Sequence, residues 1–83
     1  MKFRAEINVM PLKELLDPQG KAVTSSMKNL NLSEITNIRI GKHITLEIEA
    51  SDKTTATKKV DAACKLLLAN QIMENYEFEI FEI

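Results

Sequence analysis

The sequence contains no tryptophan and only one cysteine, one histidine, one tyrosine, two glycines and two prolines in 83 residues. A lone Cys64 cannot close an internal disulfide, which suits a reducing compartment. No second cysteine makes a CxxC pair with it, so thioredoxin-like and copper-carrier chemistry are disfavoured. His43 has no Ser, Cys or paired acid beside it, and reads as a surface turn residue rather than a general base. No ligand set has zinc spacing, and there is neither a Gly-rich run nor a Walker lysine to hold a phosphate. Charge of one sign is not in excess: 11 Lys and Arg face 12 Asp and Glu, a net charge of −1. That balance argues against a nucleic-acid surface. No apolar run is long enough to span a bilayer, and Met1 leads into a strand pattern without a signal segment, so the expected location is cytoplasmic. On these grounds no residue is assigned a catalytic, cofactor-binding or metal-binding role.

Hydrophobic residues make up 45% of the chain, and aromatics 5%. Ile, Leu, Val, Met and Ala must therefore fill the interior of one domain spanning residues 1–83. A chain this short buries only about 60–65% of its unfolded surface. A thin core combined with apolar strands points to an oligomer or an obligate partner.

Residues 2–9 alternate, with Phe3, Ala5, Ile7 and Val9 on one face and Lys2, Arg4, Glu6 and Asn8 on the other. This predicts a strand with one buried face, ended by Met10-Pro11. A loop with Leu12, Leu15 and Leu16 follows, covering a core edge or meeting a partner. Asp17 is a good helix N-cap and Pro18 suits the first helical position, so a helix is predicted from Pro18 to about Leu30. Val23, Met27 and Leu30 give it a narrow apolar face for one sheet surface. A strand is predicted over Ile35–Gly41 and another over Ile44–Ala50, joined at Gly41-Lys42 by a type II′ hairpin turn. Residues 51–55 offer several N-caps for a second helix reaching Asn70, a left-handed cap. Its stripe is Ala56, Val60, Ala63, Cys64, Leu67 and Leu68. A last strand holds Tyr76, Phe78 and Ile80 inward, and its end, apolar on both faces, suggests cover by another chain.

The predicted class is α+β. The order is β-α-β-β-α-β, one antiparallel sheet with two helices on one face, ferredoxin-like in element order. The open face carries charges where an RNA-recognition sheet would carry aromatics. Gly20, in the first turn of a helix that starts with a good cap, costs roughly 1 kcal/mol of propensity against Ala. Such a position is kept clear for an approaching surface, or it belongs to an ordinary strand-to-helix turn.

Three blocks together resemble one family. They are Met10-Pro11-Leu12-Lys13 with Leu16-Asp17-Pro18-Gln19-Gly20 and Ala22-Val23; Ile38-Arg39-Ile40-Gly41-Lys42; and Cys64 with Leu67-Leu68-Ala69-Asn70, Glu74 and Tyr76. They are similar to PurS, the small subunit of phosphoribosylformylglycinamidine synthase, over essentially the whole chain. Leu66 departs from the pattern where a basic residue is usual, and Asn75 where Asp is common.

The resemblance implies a subunit without its own catalytic set. It would bridge the glutaminase PurQ and the ATP-dependent synthase PurL and assist ammonia transfer in purine synthesis. ATP, Mg and glutamine would belong to those partners, with no cofactor on this subunit. The chain would be a homodimer or higher oligomer, a segment-swapped dimer being one form. Asp17, Pro18, Gln19, Gly20, Arg39, Gly41 and Lys42 are the expected partner contacts, with local turn geometry as the alternative for each. The alternative function is an ACT-like module that binds a small regulatory ligand.

Overall fold

The computed structural model describes every residue except 14–16. Leu15 and Leu16, expected to cover a core edge or a partner, lie outside the described residues.

Strand β1 (Lys2–Pro11) is the centre of a three-stranded antiparallel sheet ordered β2-β1-β3, with β2 at Lys42–Glu49 and β3 at Glu74–Glu82. Strict alternation places Phe3, Ala5, Ile7 and Val9 on one face, and all four are buried. The register stacks them on apolar neighbours: Ala5 lies between Leu46 and Ile80, and Ile7 between Ile44 and Phe78. A slip of one residue would turn each of these side chains to the solvent, so the pattern determines the pairing. Helix α2 (Lys53–Ala63) lays Ala56 and Val60 on this face, and Cys64 continues the contact. Each large aliphatic side chain so covered contributes about 1.5–3 kcal/mol.

The open face is ionic. Lys2 pairs with Glu47 at 3.1 Å and Arg4 with Glu6 at 2.8 Å. Exposed pairs of this kind add little stability.

The strand β1 runs two residues beyond the expected end. Its ladder to β2 stops at Val9–Lys42, so within the sheet Met10 and Pro11 pair only with β3. A proline without an N–H is tolerated there. Helix α1 (Pro18–Asn29) begins as expected: Asp17 accepts the Gly20 N–H at 3.0 Å, and Pro18 opens the first turn. Asn31, at φ 60°, turns the chain out of the helix. Of the N-cap candidates before α2, Asp52 is the one used, accepting the Thr55 N–H at 2.7 Å.

The segments follow the expected β-α-β-β-α-β succession, but residues 35–41 do not join the sheet. The predicted Gly41-Lys42 hairpin does not form: no glycine has a positive φ, which a type II′ turn requires. The cause is competition from α1. Thr24 Oγ1 accepts the Ile38 N–H at 3.1 Å, and an Asp17 carboxylate oxygen accepts the Ile40 N–H at 3.0 Å. A left-handed Asn37 (φ 57°) also interrupts the alternation. Helix α1 and this segment form an arm. Among the described residues no side chain of α1 enters the buried core, contrary to the expected packing on the sheet.

Helix α2 is shorter than predicted. It passes at Cys64 into a π-helical turn, Cys64–Leu68, closed by the Ala69 N–H on the Cys64 carbonyl at 3.0 Å. Leu67, expected on the apolar stripe, is exposed. Asn70 is not left-handed. It turns the chain with its side chain, Oδ1 accepting the Ile72 N–H at 3.0 Å.

Candidate functional site

The two segments singled out in the sequence meet. Asp17, Pro18 and Gln19 at the start of α1 and Ile40, Gly41 and Lys42 before β2 line one cleft of about 570 Å³. Pro11, Asn70, Met73 and Glu74 complete it.

Asp17 is the clasp. One carboxylate oxygen takes Gly20 N–H and the other takes Ile40 N–H, both at 3.0 Å. These backbone bonds, Gly20's first and then Ile40's, hold its carboxyl below the usual range, and the Arg39 charge adds to them. Arg39 in turn donates from a guanidinium nitrogen to the Pro11 carbonyl, tying the segment to the end of β1.

Both glycines are required by close approach within the chain. A Cβ on Gly20 would lie 2.2 Å from the Ile38 carbonyl oxygen, and one on Gly41 would lie 2.4 Å from the Val9 carbonyl oxygen. The cleared turn at Gly20 therefore receives the chain's own 35–41 segment. Pro18, Gln19, Gly41 and Lys42 remain exposed at the cleft, Arg39 is half-buried, and Gly20 is buried. The Lys42 ammonium lies 3.7 Å from Glu74 and 3.5 Å from the Leu68 carbonyl.

A second cleft, about 430 Å³, opens on the other face of the sheet around Arg4, Glu6, Asn8, His43, Glu79 and Phe81. His43 is on strand β2 rather than in a turn. Its Nε2 lies 2.8 Å from Glu6 Oε1 and its Nδ1 2.6 Å from Asn8 Oδ1. The hydrogen bond from His43 is the main reason that Glu6 stays ionised below its ordinary range. This grouping is invisible in sequence separation, 37 residues for Glu6 and His43. The signal for it was the shared outward parity of Glu6, Asn8 and His43 once β1 and β2 pair. It brings no nucleophile, and among the described residues no three His, Cys, Asp or Glu side chains cluster to hold a metal.

Cys64 is buried, and burial first, then the Asp61 charge, pushes its thiol upward. It packs as a small apolar side chain. Tyr76 donates to Asp61, and this bond, with some burial, raises the phenol to about 12. Asp61 also holds Lys65 at 3.0 Å, so this group ties α2 to β3. Among the described residues no helix is long and apolar enough to cross a membrane.

The family model PurS, phosphoribosylformylglycinamidine (FGAM) synthase, matches residues 4–82. A phosphoribosylformylglycinamidine synthase subunit PurS from Synechocystis is 42% identical over 78 residues, 94% of this chain and 78% of that one. The corresponding Bacillus subtilis subunit is 35% identical over 81 residues, 98% of this chain and 95% of that one. Among solved structures, a chain of PurLQS from Thermotoga maritima superposes with a TM-score of 0.88 at 31% identity, covering 98% of this chain and 99% of that one. Matched this completely in sequence and in fold, the chain belongs to the PurS family of phosphoribosylformylglycinamidine synthase.

Proposed function

We propose that this chain is the small subunit of a phosphoribosylformylglycinamidine synthase, and that it works by joining PurL and PurQ rather than by catalysis of its own. The observation that carries this reading is the nearly complete match to a chain of the Thermotoga maritima PurLQS structure. In this reading Asp17 and the Glu6–His43 pair serve the structure: Asp17 caps α1 and clasps the Ile40 amide, and His43 lies against Glu6 across β1 and β2. ATP, Mg and glutamine are then used by the partner subunits in the cytoplasm. Ammonia released from glutamine must reach the synthase without being protonated in bulk water, and a docked subunit that excludes water serves that need. Pro18, Gln19, Gly41 and Lys42, exposed at the cleft, are the contacts proposed for a partner, with Asp17, Gly20 and Arg39 holding them in place. The ACT-like alternative gains no support from the family match.

A second copy of the chain belongs to this reading. The radius of gyration is 16.5 Å, against about 12 Å for a compact chain of this length. Helix α1 and residues 35–41 stand out as an arm, Leu30, Leu32 and Ile35 are exposed along it, and β2 ends the sheet with an unpaired edge. Exchange of the arm between two copies would cover these surfaces.

Reconstitution tests the proposal. Omitting the chain from a mixture with PurL and PurQ lowers glutamine-dependent FGAM formation at least tenfold, and leaves ammonia-dependent formation by PurL unchanged. Equal glutamine-dependent rates with and without the chain would overturn it.

A further inference from the structure

A rigid apolar tip remains outside the core, the clasp and the arm. It consists of Leu66, Leu67 and Ile72, which are 85%, 82% and 83% exposed, with Met73 at 52%. Its exposure follows from local geometry. Continued at α-helical spacing from Ala56, Val60 and Cys64, the buried stripe would next include Leu67. The π turn widens the helix at that point, so that Ala69 is buried while Leu67 turns outward beside Leu66.

The tip is also held in shape. Gln71 Nε2 donates to the Lys65 carbonyl at 2.9 Å, and the Asn70 N–H donates to Glu74 Oε1 at 2.8 Å. The Ile72 N–H reaches the Asn70 side chain, the Met73 and Glu74 N–H groups reach the Asn70 carbonyl, and the Leu12 N–H reaches the Met73 carbonyl. A surface ordered before binding loses little conformational freedom on docking.

We infer that Leu66, Leu67 and Ile72 are the anchors by which this chain inserts into a nonpolar pocket of a different, larger subunit of its complex. Two observations select that occupant over a second copy. Three leucine-sized side chains and part of a methionine fall short of the roughly 800 Å² per partner that a self-standing dimer contact needs. The surfaces suited to a second copy lie elsewhere, on α1 and the edge of β2. The tip instead runs through Met73 into the cleft lined by Pro18, Gln19, Gly41 and Lys42. A large partner would cover tip and cleft together, with the apolar anchors at the centre and the charged cleft at the rim. This inference rests on the functional reading above.

The test is a titration of PurL and PurQ, with glutamine and ADP present, against the wild-type chain and the Leu66→Ser/Ile72→Ser double variant. Both positions are exposed, so the variant keeps the wild-type circular dichroism and native mass, and its affinity for the enzymes falls at least tenfold. Leu67→Gln, assayed alone, repeats the test on a third side chain should the double variant fail to fold. Unchanged affinity in a folded variant overturns the inference. So does a variant whose native mass halves while it still binds the enzymes, because a second copy then covers the tip. A wild-type chain that binds neither enzyme overturns the functional reading, and this inference with it.

Discussion

Gly20 shows how much one absent side chain can organise. The Ile38 carbonyl fills the space that a Cβ would take, and the contact is backbone against backbone, so neither side can give way cheaply. Gly20→Ala is expected to destabilise the fold by about 2 kcal/mol through overpacking, although alanine is the better helix former. For a domain of this size that lowers the melting midpoint by about 10 °C, measurable by circular dichroism. The sole tyrosine gives a second test. Tyr76 is held neutral by its bond to Asp61, which raises its phenol from the ordinary 10.0 to about 12. The folded state therefore binds this proton more tightly than the unfolded chain does. The stabilisation is complete below pH 10 and is lost as pH rises toward 12. Ultraviolet titration of the phenolate reads the value directly, and Asp61→Asn should bring it back toward the ordinary range.

At the scale of elements, the arm and the π turn each give up a regular arrangement. The segment 35–41 has the alternation of a hairpin strand, yet its amides at Ile38 and Ile40 are taken by Thr24 and Asp17. Thr24 serves twice, donating to the Gly20 carbonyl at 2.8 Å and accepting from Ile38. Thr24→Val removes both bonds at nearly constant volume. Loss of about 1 kcal/mol should raise the hydrogen-exchange rate of the Ile38 amide by roughly fivefold while the amides of β1 stay protected. Equal protection of Ile38 in both proteins would show that the arm is held by something other than this helix. The π turn forgoes burial of Leu67, a loss of about 1.5–3 kcal/mol. A folded chain that exposes such a side chain beside Leu66 and Ile72 recovers that energy on docking.

The whole molecule measures 52 × 26 × 14 Å, long and thin for 83 residues. A shape in which one helix contributes nothing to the core among the described residues does not maximise burial within one chain. The isolated protein is expected to sediment as a multiple of its 9.4 kDa chain mass, with a melting midpoint that rises with protein concentration. A monomer with a concentration-independent midpoint would remove the second copy from the functional reading. It would leave the tip and its test untouched, since those are on another element.

Patterns of period two and period 3.6 by themselves determined β1, the inward faces of β2 and β3, and the Ala56–Val60–Cys64 stripe, and capping chemistry determined the start of α1 at Asp17-Pro18, because each depends on neighbours only a few residues apart. The two segments that meet at the cleft were legible as unusual glycine-bearing blocks, but not as neighbours of each other. Only tertiary structure decided that Gly20 receives Ile38, that residues 35–41 bond to α1 instead of forming a hairpin, that Leu67 turns outward, and that His43 joins Glu6 and Asn8. The Gly20, 35–41 and His43 contacts depend on partners far along the chain, while Leu67 turns outward because the helix widens into a π turn at Cys64. Local spacing carries no information about which distant group will win.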